Sequence, residues 1–502
     1  MVFVNRALDG SELVDKRSGR LSLFLVVFQL LVLMPATGSV IDVKTDGSIQ
    51  EALDLAMPGD VVQVPSGLYH QTIAVTKAVV LRGVDDGGGR PVIDAGGRAS
   101  GIVLRGAGCT VEGLAVINSG SSELDAGIKV AAANVTLRQV WITQNRRGIM
   151  VQSAEGCKVL GCRITGNENG IFLYQARASE ISDCVISRNS DGVTIWESEE
   201  GTLSRNRVNE NQRYGIYLVS STKNYLVGNV AENNSAGLYL VNSPGNAVLD
   251  NRFGNNTDRG VYLQKSGQNV FKLNQISGSS RNFDYYMDQE TGAGREYQYL
   301  NNDIDSSNLV ESRPILHLVQ ASDQNMDASP ISGPIFCIRC QNLTIQNLRV
   351  EDDLRGVFLY QSRGCLLQNN TLRNNSLFGI EAYESSGNLF RQNNISRSPV
   401  GVYLESSAKN AVAANNVFDG GIGIALVASS NNSIFLNNLV YNKNASAYDD
   451  GPNQWDDGER GNFYDDFECM DPDRDGYCDA GRFIPGGRSE DRFPLTFPVR
   501  FN

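Results

Sequence analysis

The stretch Gly237-Leu-Tyr239-Leu-Val-Asn-Ser-Pro-Gly-Asn246-Ala-Val248-Leu-Asp-Asn251-Arg-Phe253-Gly-Asn-Asn-Thr-Asp-Arg-Gly260-Val-Tyr262-Leu holds one whole unit of a repeat and the start of the next. Apolar and polar residues alternate in runs of three or four, each stopped by Gly or Asn. That is the pattern of short strands between tight bends, with no room for a helix. Outward from this unit, Gly-Φ-x-Φ (Φ apolar) recurs at Gly127, Gly148, Gly170, Gly192, Gly215, Gly237 and Gly260, at spacings of 21 to 23 residues. It resumes at Gly356, Gly379, Gly401 and Gly423, with Gly333 opening that second set. A companion motif, Asn-x-Φ-x-x-Asn-x-Φ, returns as Asn410-Ala-Val412-Ala-Ala-Asn415-Asn-Val417.

A coil of about 22 residues with three short strands stacks on the next at about 4.8 Å, so equivalent positions form columns. The repeat therefore predicts an all-β chain, a right-handed parallel β-helix. Asn206, Asn229, Asn251 and Asn274 keep register in the first array, as do Asn370, Asn393, Asn415 and Asn437 in the second. Asparagine tolerates left-handed bends and its amide both donates and accepts, which gives these columns a structural role. Cys162 and Cys184 share the column of Asn206 and read as small stacking residues. Leucine-rich repeats have a similar period, but their Leu-x-x-Leu-x-Leu signature is missing. Ser48 to Ala56 has helical spacing and suits a short amphipathic cap over the first coil, since a bare solenoid end exposes core and strand edges.

The layout that follows is a leader at 1–39, a cap and first array at 40–283, an irregular junction at 284–332, a second array at 333–442 and an acidic C-terminal cap at 443–502. The junction loses the period and is either an excursion from one continuous helix or a true joint. Leu21 to Met34 is a 14-residue apolar run behind Lys16, Arg17 and Arg20, which reads as a secretory signal peptide, with an uncleaved anchor as second choice. Apart from that leader no segment suits a membrane span. The net charge of −12 argues against a nucleic-acid partner, because phosphate binding relies on Lys and Arg. Nine cysteines suit an exported chain without making a dense disulfide framework, as do nine Asn-x-Ser/Thr sequons, among them Asn134, Asn233, Asn342, Asn394 and Asn444.

Three features together resemble a known family: Gly59-Asp-Val-Val-Gln-Val-Pro-Ser-Gly-Leu-Tyr69, the Gly-Ile-Tyr-Leu ladder, and a tail with Gly461-Asn-Phe-Tyr-Asp-Asp, Ile484-Pro-Gly-Gly and Phe493-Pro-Leu. The chain resembles the NosD-type β-helix proteins, within the group of carbohydrate-binding proteins and sugar hydrolases found on archaeal surfaces. The resemblance covers nearly everything after the leader, and the leader itself implies export to an extracellular, cell-surface or periplasmic location. The resemblance also implies copper binding and a role in maturing nitrous oxide reductase. The residues favour that poorly, since copper prefers imidazole, thioether and thiolate and the chain has two histidines, His70 and His317. Cys337-x-x-Cys340 is the one compact thiol pair, read as a local disulfide or two unrelated cysteines ahead of a copper or redox site.

Chemistry has three candidate places. In Asp471-Pro-Asp473-Arg-Asp475-Gly476-Tyr477-Cys478-Asp479, alternate carboxylates and a glycine turn suit calcium, with the Tyr477 carbonyl and Asp479 completing the set. The twelfth position is Arg482, so a closing carboxylate must come from Glu490, Asp491, Asp465 or Asp466. Cys469 and Cys478 bracket this loop and are placed to close it as a disulfide. Second, residues two and four after each repeat glycine point outward, which sets Phe172, Tyr217, Tyr239 and Tyr262 in an exposed column with Tyr174 and Trp196 beside it; Phe358, Tyr360, Tyr383 and Tyr403 echo it. Such a row suits the faces of sugars, against the blander reading that aromatics stack to stabilise the ladder. Third, carboxylate pairs at Asp85-Asp86, Asp352-Asp353 and Asp449-Asp450 are the raw material of a polysaccharide-cleaving site, but none recurs with basic partners. The residues favour a non-catalytic binder of surface glycan or an envelope-structural protein that meets other envelope proteins, with a carbohydrate-active lyase, hydrolase or epimerase as the alternative.

Overall fold

The computed structural model describes residues 38–44, 47–286, 296–327 and 332–500; the segment read as a leader lies outside them up to Thr37. The chain winds as a right-handed parallel β-helix of about 19 turns with almost no helix. Its strands fall into two stacks, one with sheets of 12, 10 and 12 strands and a second with sheets of 7, 6 and 6. In each stack one sheet carries long strands, such as Tyr214–Val219, Ala236–Val241 and Arg259–Gln264, and two carry strands of four residues or fewer, most of them three.

Register explains the core. Ile216, Leu238 and Val261 are paired in one column, and Leu218, Leu240 and Leu263 in the next. All six are buried, at about 1.5–3 kcal/mol of favourable transfer each. The repeat glycine turns the corner into this sheet. A Cβ on Gly170 would lie 2.5 Å from the Gly192 carbonyl oxygen and 2.7 Å from Ile186 Cγ2, so only glycine fits.

Buried amides run along the corners. Asn206 Nδ2 donates to Asn229 Oδ1 at 2.9 Å, Asn229 to Asn251 at 2.9 Å, and Asn251 to Asn274 at 3.1 Å. Asn370, Asn393, Asn415 and Asn437 repeat this at 2.9–3.0 Å. The left-handed residue is not the column asparagine but the one before it: Arg205, Asp250 and Leu273 have φ of 54°, 54° and 60°. Each such bend costs about 1–2 kcal/mol outside glycine, and the buried amide that follows offsets it by bonding both neighbouring coils. Cys162 continues this column, its backbone N–H meeting Cys184 Sγ at 3.4 Å, while the Cys184 N–H donates to Asn206 Oδ1 at 3.0 Å.

The stretch expected as an irregular junction is divided between the two stacks. Asp303–Ile304 and Leu309–Val310 extend the first stack's short-strand sheets, whereas Leu316–Val319 and Asn325–Met326 already belong to the first coil of the second. The period is lost in sequence because the intervening chain, including the short helix Tyr297–Leu300, lengthens one coil. The second array also runs past its expected end, through Ala445–Asp449 and Phe463–Tyr464.

The two stacks meet in a true joint. In the second stack Leu318, Cys337 and Leu359 face its own core, and the alternating His317, Phe336 and Phe358 face out. Phe336 and Phe358, with Ile338 and Tyr360, belong to the core of the first stack, and Phe336 lies 5.8 Å from Phe283 and 5.6 Å from Tyr285 of its last coil. The second stack thus lays the outside of its long-strand sheet across the open end of the first. Charges are buried there too. Arg355 bridges Asp284 and Glu381, all three at most 7% exposed, and Arg313 meets Asp353 at 3.3 Å.

The outer ends are capped. Helix Ile49–Leu55 buries Ile49, Ala52 and Leu53 over the first coil, with Ser48 accepting from the Glu51 N–H and Lys77 Nζ donating to the Ala56 carbonyl at 2.7 Å. At the other end Trp455, Tyr464 and Ile484 close the second core.

Burial raises the Asp353 carboxyl to about 8 despite the Arg313 guanidinium beside it. A raised carboxyl adds stability that is complete below its unfolded value and is lost as pH climbs to the folded one. Thermal melts should accordingly show the protein losing on the order of 2–3 kcal/mol between pH 6 and 9, and Asp353→Asn should remove that slope. An unchanged slope in the variant would place the pH dependence elsewhere.

Candidate functional site

The outward columns of the first long-strand sheet assemble the aromatic row. Paired coil by coil, one column reads Met150, Phe172, Thr194, Tyr217, Tyr239, Tyr262 and Asp284, and its neighbour Gln152, Tyr174, Trp196, Val219, Val241 and Gln264. Direction along the strand is as the alternation requires, but exposure is not. Phe172 and Tyr262 are buried, Tyr174, Tyr217 and Tyr239 are half-buried, and only Trp196, at 42%, is truly open. In the second array Phe358 and Tyr360 are buried in the joint and Tyr383 and Tyr403 half-buried.

The physical reason is spacing. A coil repeat of about 4.8 Å is close to ring-stacking distance, so each ring leans on the next. Tyr217 and Tyr239 are 5.3 Å apart and Tyr239 and Tyr262 5.1 Å. Tyr214, one residue before the repeat glycine and missed by the two-residue alternation, joins at 4.5 Å from Tyr217. Guanidinium groups cover other faces: Arg147 over Phe172 at 4.6 Å and Arg259 over Tyr262 at 3.8 Å. What this surface offers outward is ring edges, phenolic hydroxyls and arginine N–H groups more than flat faces. Burial raises the Tyr217 hydroxyl and takes that of Tyr262 to about 12, so both stay protonated donors. Tyr239 uses its hydroxyl on Gln264.

In the C-terminal loop, Asp471, Asp473 and Asp475 offer carboxylate oxygens that all lie within 4.8 Å of one another. Asp479 is not part of that group; its N–H donates to the Met470 carbonyl. Tyr477 donates its N–H to Asp475 and bridges to Leu495. Cys469 and Cys478 are disulfide-bonded across the loop, with Cα atoms 5.2 Å apart. The Asp475 N–H holds the Asp473 carboxyl down, but its contact with Asp471 and the charges of Asp475 and Asp479 raise it on balance. Three of the four carboxylates considered for closing the site are engaged: Asp466 with Arg482, Asp465 with the Tyr441 N–H, and Asp491 with Tyr464 and Asn462.

The soft ligands meet only as buried thiol pairs, Cys337 with Cys340 and Cys162 with Cys184, and neither histidine joins them. His317 is buried, hydrogen-bonded to the Tyr285 hydroxyl at 2.7 Å and depressed by burial to about 3. His70 sits at the surface beside Asp94. The other seven cysteines are unbonded and buried, Cys337 and Cys340 included. Among the described residues the one group of three or more His, Cys, Asp or Glu side chains placed to share a metal ion is the aspartate trio.

A charged recess of about 480 Å³ opens at the joint, lined by Glu311, Arg313, Arg349, Glu351 and Asp352. The pair Asp352-Asp353 stands here with two basic groups: Arg349, on the strand Arg349–Glu351 that leads into the pair, and Arg313, from the link between the stacks. Of the other two aspartate pairs, Asp85 accepts from the Gly87 and Gly89 N–H groups in an exposed turn, and Asp449 holds Trp455 and Asn453.

Three similar solved structures share 12 to 14% identity with the chain. An alginate lyase, AlyF-OU02 in complex with G6, is similar over 71% of this chain and 85% of its own, at 14% identity and a TM-score of 0.42. The Dettilon tailspike protein is similar over 66% of this chain and 65% of its own, at 13% identity and a TM-score of 0.38. Pectate lyase Pel9A is similar over 51% and 74%, at 12% identity and a TM-score of 0.35. No curated protein matches the chain. The family described as periplasmic copper-binding protein (NosD) matches residues 98–298 and 295–469, most of both stacks. With most of its coils and the joint inside those bounds, this chain belongs to the NosD family.

Proposed function

We propose that this is a protein of the cell envelope that binds glycan along the outer face of its first long-strand sheet and does not cleave it. The observation that carries this reading is the row from Phe172 to Tyr262, in which an aromatic ring repeats at every coil but one and the half-buried Tyr217 and Tyr239, with the open Trp196 beside them, are within reach of a ligand. Tyr217→Phe and Tyr239→Phe combined with Trp196→Ala keep the stacked rings and remove two hydroxyls and the one open ring. At about 1.4 kcal/mol per tenfold in affinity, losing these contacts should weaken glycan-array binding at least about tenfold with little change in melting temperature. Undiminished binding by the folded variant would remove the face from the function.

The family description implies copper, and the residues do not fit it. The two histidines are in different environments, the thiols are buried core residues that meet only as the pairs Cys337–Cys340 and Cys162–Cys184, and no group of three or more that includes a histidine or cysteine is gathered among the described residues. The aspartate trio offers hard oxygen ligands, which suit calcium. We read Asp471, Asp473, Asp475 and the Tyr477 carbonyl as a structural calcium site inside the disulfide-closed loop, completed by backbone oxygen or water. Excess EGTA should lower the melting temperature by a few degrees, and added calcium should restore it. A melting curve indifferent to both would remove the ion.

A second reading, a carbohydrate-active enzyme, is favoured by the recess at the joint, where Glu351 and Asp352 stand with Arg313 and Arg349, and Asp353 is buried behind them. Reducing ends released from polysaccharide by the purified protein, and abolished by Glu351→Gln, would establish it over the binding reading.

No helix of the described residues is long and apolar enough to cross a membrane. Export by the Leu21–Met34 leader is part of this proposal and is checked by the N-terminus of the mature protein.

A further inference from the structure

We infer that the exposed bends of both stacks carry N-linked glycan, attached at Asn134, Asn233, Asn255, Asn342, Asn369, Asn374 and Asn431. The inference rests on the export reading above and is independent of what the aromatic face binds.

The first observation is where the acceptor motif falls. Asparagine with Ser or Thr two positions on, and no Pro between, is the acceptor of N-glycosylation. All nine such asparagines of this chain are exposed. None of the buried asparagines begins the motif: Asn229, Asn251, Asn393 and Asn415, for example, have the core residues Ala231, Phe253, Ile395 and Val417 two positions on. A bulky attachment is thereby kept off the amide columns that hold the coils together.

The second observation is the backbone. Seven of the nine asparagines have left-handed backbone, with φ between 52° and 56°. Asparagine is favoured at such a bend for its own sake, so the bend explains the asparagine but not the hydroxyl that follows. Ten asparagines of the described residues have positive φ, and seven of them carry Ser or Thr two positions on. Of the thirty-five other non-glycine residues with positive φ, six do. A demand of the corner alone would place hydroxyls after Arg, Asp or Gln as readily as after Asn.

The third is presentation. The residue after the bend turns into the core, so the asparagine before it and the hydroxyl after it stand on one outer side. In Asn255-Asn256-Thr257 the first and last residues are exposed and the middle one is buried. Asn134-Val135-Thr136 and Asn369-Asn370-Thr371 repeat this with a half-buried threonine. Two of the amides rest on exposed carboxylates, Asn342 on Asp323 and Asn374 on Asp352. Asn394 and Asn444 lie outside the inference, because their hydroxyl residues, Ser396 and Ser446, are buried.

The reaction is a glycosyl transfer from a lipid-phosphate-linked oligosaccharide. The asparagine side-chain nitrogen bonds to the anomeric carbon, the bond from that carbon to the phosphate oxygen breaks with its electron pair leaving on the phosphate, and the amide gives up one N–H proton. Nothing is oxidised or reduced.

The test compares the full chain isolated from the cells that make it with the same chain made in a cytoplasm without glycosyl transfer, by intact mass and by mass spectrometry of the peptides. Glycan should be found on a majority of the seven asparagines. It should be missing from Asn118, Asn242 and Asn347, which share the bend without the hydroxyl. Thr136→Ala, Thr257→Ala and Thr371→Ala leave each asparagine in its bend and should abolish modification at Asn134, Asn255 and Asn369, whereas Thr136→Ser, Thr257→Ser and Thr371→Ser should keep it. Melting curves of the six variants confirm that each is folded. An exported chain with glycan on a minority or none of the seven, or modification that persists in the alanine variants, would overturn the inference and leave export standing. An unprocessed chain found in the cytoplasm would remove the export reading and this inference with it.

Discussion

Arg355→Met should destabilise the protein by about 3–5 kcal/mol, the cost typical of stripping one partner from a buried ion pair. Arg355 sits between Asp284, at the end of the first stack, and Glu381, in the second, and all three are shielded from water. Burial raises the Asp284 carboxyl, with the guanidinium opposing that rise. Remove the cation and two carboxylates face each other in a low-dielectric joint. The loss should appear as faster hydrogen exchange at Phe283–Tyr285 and Phe336–Ile338, the two sides of the contact, before it appears in the outer coils. Replacing all three residues together, as Asp284→Asn, Arg355→Met and Glu381→Gln, should recover most of the stability. If the single variant melts like the parent protein, the triad does not bolt the joint.

Asn229→Leu should cost on the order of 3–5 kcal/mol, because each stranded buried polar group costs about 1–3 kcal/mol and this side chain serves several. Its Oδ1 accepts from both the backbone N–H and Nδ2 of Asn206, and its Nδ2 donates to the Leu203 carbonyl and to Asn251. The nearby Gly228 bend, at φ 65°, also loses the bonds that follow it. Asn394→Ala makes the matching control: Asn394 is exposed, and exposed positions usually change stability by less than about 0.5 kcal/mol. Chemical denaturation of both variants gives the comparison, and equal midpoints would deny the amide columns their energetic role.

The coil was legible because glycine and asparagine mark its corners at every turn, and a corner is a local demand on backbone and space. Gly170 excludes a Cβ whatever the rest of the molecule does. Alternation likewise told which way Tyr239 points. It did not tell that Tyr239 would be half-covered, because exposure depends on the neighbour one coil away and on ring width relative to coil spacing. The Cys469–Cys478 bond was readable from two cysteines nine positions apart that bracket a loop. The fates of Asp466 and Asp491 were not, since Arg482 and Tyr464 claim them through contacts that exist only after folding. The joint was the least legible part. Arg355 finds Asp284 across 71 residues, and nothing in its own coil distinguishes it from a solvated surface arginine.

The sideways docking of the second stack fixes what can vary in this architecture. Inserting a coil in the middle of either stack moves the corner along as a rigid piece, since every contact of Phe283, Tyr285, Phe336 and Arg355 travels with it. Inserting one between Arg281 and Phe336 would break all of them at once. The molecule behaves like a carpenter's square whose arms are free to lengthen while its angle stays set, so relatives should differ in arm length far more readily than in the bend between the arms.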